Sequence, residues 1–330
     1  MKVEDIELSL GFEEVAIKQG LNICKSRSDV NIESEVIRGV RLKVPLISAN
    51  MSSVTNPYFA LKMAQCGGLG VLHRALLDDD RVDQVKELVG KTLWVATSIG
   101  VGDNEFEMAK RLIEAGATII VIDIAHGFSK TVFNQCSMLK KNFSNIKVVM
   151  GNVTDPDVMS YADEVDADGV KVGIGQGLGC STKDTAGATE RQFSAVLKFK
   201  ELSKKYGLPV ISDGGIRIPS DFTKAISAGA NSIMAGSIFS RCSESAADLE
   251  YIDGVPKKIY FGMASRKSQE QWHGKVHNSC PEGKVVYLDL GEGVENLMQR
   301  YAGALRSGIS YAGGNDIKSF QEKVKFVRFK

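Results

Sequence analysis

Short, almost uninterrupted apolar runs recur along the chain: VPLISAN (44–50), GLGVLH (68–73), LWVATSIG (93–100), TIIVIDIAH (118–126), KVVMGNV (147–153), GVKVGIG (169–175), PVISDGG (209–215) and NSIMAGSIF (231–239). They are rich in Val and Ile and too short for core helices, so they read as strands buried on both faces. Between them lie NPYFALKMAQCGG, NEFEMAKRLIEAGA, ERQFSAVLKFKELSKKYG and PSDFTKAISAGA, with apolar positions three and four apart and glycine at the ends, the pattern of amphipathic helices. Strand, loop and helix repeated eight times predict a parallel (β/α)8 barrel, a TIM barrel; a doubly wound sheet is the alternative. The count favours the barrel.

The chain after 240 carries YFGMASRKSQEQWHGKVHNSCPEGKVVYLDL, which reads as a long loop or flap, about 264–288, within a single domain spanning 1–330. The stretch GVENLMQRYAGALRSG reads as a helix packed back on the barrel. No apolar run is long enough to cross a membrane, and MKVEDIELSLGFEEV lacks the pattern of a targeting peptide, so a cytoplasmic protein is expected. Lys plus Arg (41) nearly cancels Asp plus Glu (40), which gives no field to recruit nucleic acid or an anionic membrane. The partners must come from a site.

In a (β/α)8 barrel that site forms where the strands end. Here the strand ends hold glycine and small polar residues, above all GIGQGLGCSTKDTAG, a catalytic-loop candidate over 173–187. Its glycines do not match a dinucleotide fingerprint, because Leu178 and Cys180 stand where the third glycine would be. The six cysteines are scattered without metal-binding spacing and read as reduced thiols. Cys180 differs from the rest: glycines on both sides leave no apolar wall in its own segment. After the seventh and eighth strands, SDGG (212–215) and AGS (235–237) place backbone donors where barrels commonly bind phosphate; two plain glycine turns are the alternative. Asp213 is suited to accept from ribose hydroxyls or to cap a helix.

Taken together, ISANM (47–51), GGLGVLHR (67–74), GIGxGxxCST (173–182), SDGG, AGS, YFGMAS (260–265) and CPEGK (280–284) resemble the IMP dehydrogenase / GMP reductase family, in order and over nearly the whole chain. The resemblance implies a barrel that binds a purine nucleotide monophosphate, GMP or IMP, with Cys180 attacking C2 of the base. It implies proton transfer by Thr182 and Glu282, ribose binding by Asp213, and phosphate binding by Gly214, Gly215, Gly236, Ser237 and Tyr260. Gly262 and Met263 would lie along the base. Asp123, Ala125, Gly173 and Gly175 would face a nicotinamide cofactor. It further implies a homotetramer and, in some members, K+ held near Gly175, Gly177 and Cys180.

Within the family, the chain looks like the reductase branch. No regulatory (CBS) module separates GGLGVLHR from LWVATSIG, and the stretch from Ser265 to Pro281 has no Arg-Tyr pair to activate water, Arg266 being followed by Lys267. That implies NADPH-dependent conversion of GMP to IMP and ammonia, with NADH the alternative donor. Three readings stay open beside it: an IMP dehydrogenase without the module, an enzyme with a shifted purine nucleotide preference such as a deoxynucleotide, and a binding-only relative. Retention of Cys180, Thr182 and Glu282 together weighs against the last. Departures from the family pattern fall at Ser52 (usually Asp), Leu178 (usually Ser), Gly179 (usually β-branched) and Ser279.

Overall fold

The structure, a computed structural model, describes residues 6–274 and 280–329. The eight expected runs form eight parallel strands: Leu46–Ser48, Leu69–Leu72, Ala96–Ile99, Ile119–Asp123, Lys147–Val153, Gly169–Val172, Val210–Asp213 and Ser232–Ala235. They pair in chain order, and the eighth returns to the first with Ile233 opposite Leu46 and Met234 opposite Ile47, so the sheet is a closed barrel. Closure leaves no strand edge in this sheet.

The alternation inside each run explains why the runs are apolar throughout. Ile47, Leu69, Val71, Ala96, Ile119, Val121, Val149, Ile211 and Met234 point inward and fill the barrel. Their neighbours Leu46, Leu72, Ile99, Ile120, Ile122, Val148, Val170 and Ile233 point outward to the helices. Helices Pro57–Gln65, Asp103–Glu114, Gln192–Tyr206 and Pro219–Ser227 occupy the expected amphipathic stretches, and Asp78–Leu88, Lys130–Asn142 and Val158–Glu164 complete the outer layer. Asp78–Leu88 fills the interval after the second strand. A hairpin of Ser34–Ile37 and Val40–Leu42, absent from the sequence reading, plugs the far mouth of the barrel with Val36, Ile37, Val40 and Leu42.

The described part of the stretch expected to be a loop or flap, about 264–288, holds regular elements. Strands Leu249–Ile252, Val255–Phe261 and Val285–Asp289 form an antiparallel sheet, and helix Arg266–His273 follows the middle strand. Polar residues dominate both helix and strand ends, and that hid their periodicity. Helix Val294–Tyr311 packs back as expected, burying Leu297, Met298, Tyr301, Leu305 and Ile309. Among the described residues, no helix is long and apolar enough to cross a membrane.

One buried ammonium anchors the added sheet. Lys258, on the middle strand and 4% exposed, donates to the carbonyls of Ala247, Ser243 and Ser245 at 3.0, 3.3 and 3.4 Å. Lys258→Met should therefore cost about 2–4 kcal/mol, since it strands three carbonyls that lose a charged donor. Urea unfolding measures this; a loss below about 0.5 kcal/mol would contradict the role given to Lys258.

Candidate active site

A cleft of about 360 Å³ opens at the C-terminal ends of the barrel strands, within the range of small-molecule sites. It brings together every candidate named from the sequence. Cys180, Thr182 and Glu282 line it, as do Asp213, Gly214, Gly215, Gly236 and Ser237. Tyr260, Gly262 and Met263 enter from the added sheet, and Asp123, Ala125, Gly173, Gly175 and Gly177 complete the rim. Ser279 lies outside the described residues.

The cysteine loop leaves the sixth strand through Gly173 and Gly175, whose φ values of +142° and +80° suit glycine. A side chain at Gly173 would overlap the Asp213 carbonyl. Thr189 steadies the outgoing arm, donating to the Ile174 carbonyl at 2.8 Å and accepting from the Gln176 amide at 2.9 Å. The Cys180 N–H then closes a turn on the Gly177 carbonyl at 3.0 Å.

Cys180 Sγ lies 3.2 Å from Thr182 Oγ1, and Thr182 Oγ1 donates to Glu282 Oε2 at 2.7 Å. A hydroxyl has one hydrogen, so with that hydrogen on Glu282 the thiol must be the donor to Thr182. The result is a hydrogen-bonded path from the cysteine proton to a carboxylate.

Backbone pairing holds the path together. Cys180 sits opposite Gly283 in an antiparallel bridge, the Ser181 N–H donates to the Glu282 carbonyl at 3.0 Å, and the Lys284 N–H donates to the Gly179 carbonyl at 3.0 Å. Gly262 donates in turn to the Lys284 carbonyl at 3.3 Å. The segments meet at glycines because side chains do not fit. A Cβ on Gly179 would stand 2.9 Å from the Gly262 nitrogen and 3.1 Å from the Tyr260 ring, and one on Gly283 would stand 2.6 Å from the Ser265 nitrogen.

Beside the cysteine loop, with a Cβ on Gly214 only 3.1 Å from the Gly177 nitrogen, Gly214 and Gly215 take φ values of +88° and +77°, and Gly236 lets Tyr260 approach: a Cβ there would lie 2.5 Å from the tyrosine oxygen. Burial pushes the Tyr260 hydroxyl above its ordinary range, with Asp213 and Cys180 adding to the effect, so it stays protonated as a donor. It contacts Met51 Sδ at 3.6 Å. Leu178 lines the cleft and packs on the core. Ser52 buries a hydroxyl without a partner, whereas Ser53 both accepts from the Phe261 N–H at 3.3 Å and donates to the Phe261 carbonyl at 3.2 Å.

The floor holds residues that sequence reading missed. Lys171, 1% exposed, reaches Asp213 at 2.7 Å and Asp123 at 2.8 Å and also bonds the Asn152 side-chain oxygen. Asn152 Nδ2 donates to Asp213 at 2.9 Å and to the Gly173 carbonyl at 2.7 Å; Asn50 Nδ2 donates to Asp123 at 2.9 Å. Asp213 therefore caps no helix. Burial is the largest influence on the Asp123 carboxyl and would raise it, but the Lys171 charge, the hydrogen bonds from Lys171 and Asn50 and the charge of Arg74 together outweigh burial and hold it below the usual range. Arg74 lies 4.9 Å over the Trp272 ring, and both side chains line the cleft. The available signal was Lys171 itself, a lysine between valines in a buried strand, which needs carboxylates nearby. Among the described residues, no cluster of three or more His, Cys, Asp or Glu is arranged to hold a metal ion.

Several known proteins resemble this chain. An inosine-5'-monophosphate dehydrogenase of Cryptosporidium parvum is 31% identical over 99% of this chain and 94% of its own length. A GMP reductase of Oenococcus oeni is 33% identical, covering 94% of each. Among solved structures, a GMP reductase from Trypanosoma brucei in complex with guanosine 5'-monophosphate superposes with a TM-score of 0.94 over 99% of this chain and 96% of that one, at 23% identity, a likeness of fold. A family model described as the IMP dehydrogenase / GMP reductase domain matches residues 9–330, and the chain belongs to that family.

Proposed function

We propose that the protein is an oxidoreductase that converts GMP to IMP and ammonia with NADPH, through a covalent intermediate on Cys180. The observation that carries this reading is the path from Cys180 through Thr182 to Glu282, which performs both proton transfers the reaction needs. Glu282 takes the thiol proton through Thr182, and the thiolate adds to C2 of the guanine. The same proton returns through Thr182 to the 2-amino group, which leaves as ammonia while Cys180 stays bonded to C2. After C2 has gained a hydride, the C2–S bond breaks and Cys180 departs as thiolate.

The nucleotide would sit with its ribose on Asp213, held ready by Lys171 and Asn152, and its phosphate against Gly214, Gly215, Gly236, Ser237 and the Tyr260 hydroxyl. Gly262 and Met263 would run beside the base. The rim at Asp123 fits a nicotinamide cofactor: its carboxylate is fixed by Lys171 and Asn50, and Ala125, Gly173 and Gly175 leave room for a flat ring. Reduced nicotinamide supplies the hydride when bound there. Any K+ would rest on carbonyls of Gly175, Gly177 and Cys180.

The dehydrogenase alternative must supply a base to activate water on the same intermediate, and Ser265 to Pro281 contains no Arg-Tyr pair. With GMP and NADPH, nicotinamide absorbance should fall as ammonia appears, and Cys180→Ala should abolish both. Absorbance that instead rises with IMP and NAD would identify a dehydrogenase and overturn the proposal.

The glycine seam makes a second demand. A β-branched residue at 179 would push the loop off Gly262 and Tyr260 and separate Thr182 from Glu282. Gly179→Val should lower kcat about a hundredfold with little change in nucleotide KM, as steady-state kinetics would show. Undiminished turnover would mean that the seam does not align the proton path.

A further inference from the structure

The floor of the cleft poses a charge problem that the reaction scheme does not use. Asp123 ends the fourth strand and Asp213 the seventh, and both turn toward one point inside the barrel mouth. Two carboxylates converging in a partly desolvated cleft repel, and unless a cation lies between them one takes up a proton. Lys171 is that cation. It stands on the sixth strand, alternating with the outward Val170 and Val172, and its ammonium meets the two carboxylates at 2.8 and 2.7 Å. Asn50 on Asp123 and Asn152 on Asp213 add donors from two further strand ends.

We propose that Lys171 is a positioning residue that sets both halves of the cleft at once, its ammonium bridging Asp123 and Asp213 and holding them in place so that the cofactor side and the ribose side are ready together. The inference rests on the functional reading for the names of the two sides, but the charge arrangement itself does not. Neither carboxylate has a comparable substitute. Among the described residues, Arg74 is the other cation acting on Asp123, and it is stacked on Trp272; Asp213 otherwise bonds Asn152, with the Tyr260 hydroxyl and the Cys180 thiol nearby, and Arg217 also lines the cleft but makes no ion pair with Asp213, whose ion-pair partner is Lys171. The consequence is a shared fate: loss of one ammonium should weaken nucleotide and cofactor together, whereas loss of a residue serving one side should weaken one.

The test uses the full chain with aspartates labelled with ¹³C at the carboxyl carbon, the two signals assigned through Asp123→Asn and Asp213→Asn. In the wild type the Asp123 signal should stay that of a carboxylate from about pH 5 to 8, since Lys171 and Asn50 hold it below the usual range. In Lys171→Met one should titrate between about pH 6 and 8, the carboxylate pair sharing a proton. If repulsion keeps that variant from folding, Lys171→Met/Asp123→Asn removes the repulsion and should fold; a double variant that also fails to fold would overturn the charge role of Lys171. Steady-state kinetics of Lys171→Met should show the KM for nucleotide and for cofactor each rising about tenfold or more, and kcat/KM increasing with pH as the shared proton leaves. Two flat carboxyl signals in Lys171→Met, or a rise confined to one KM, would overturn the proposal. If the carboxyl titration appears as described but neither GMP nor IMP binds, the charge role of Lys171 stands and the functional reading falls instead.

Discussion

The hydrogen bond from Thr182 Oγ1 to Glu282 Oε2, 2.7 Å long, links side chains of two segments a hundred residues apart. Neither segment is regular enough to hold its side chain in place alone. The alignment comes from backbone pairing around Cys180 and Gly283, and in this chain the strips approach most closely at Gly179, Gly262 and Gly283, where a Cβ would meet backbone. Behind the strips, Ser53 ties the loop after the first strand to Phe261, and Lys258 ties the same strand to three carbonyls, so Tyr260 and Gly262 are fixed to the barrel. A bond worth little by itself is made reliable by everything that fixes its two ends.

The barrel was legible because closed parallel sheets demand continuous apolar strands, and eight such runs leave few alternatives. The plugging hairpin was not. Val36, Ile37, Val40 and Leu42 are spread among polar residues in SEVIRGVRL, and only the barrel they enter reveals their purpose. The helix Arg266–His273 is likewise almost all polar, so periodicity gave it no signature. At the site, Cys180 stood out because glycines surround it, and its partners followed from motif resemblance. Lys171, Asn50 and Asn152 remained hidden because their value lies in converging on carboxylates from different strand ends, a juxtaposition that only closure creates.

The departures from the family pattern acquire physical content in this setting. Gly179 is the residue the seam requires, since a Cβ there meets the Gly262 nitrogen. Leu178 lines the cleft and packs an apolar side chain against the core. Ser53 bonds the Phe261 backbone, while the neighbouring Ser52 hydroxyl is buried without a partner, and nothing in the structure explains that choice. The changes surround the proton path and leave Cys180, Thr182 and Glu282 intact.

The most direct measurement of the central claim is the mass of the Cys180 peptide after the enzyme is acid-quenched during turnover with purine nucleotide and nicotinamide cofactor. A covalent purine nucleotide adduct should appear on Cys180, and its formation from GMP should be strongly slowed in Glu282→Gln, which cannot carry the proton between thiol and amine. An unmodified Cys180 under turnover conditions, or an adduct that forms equally fast in Glu282→Gln, would contradict the account.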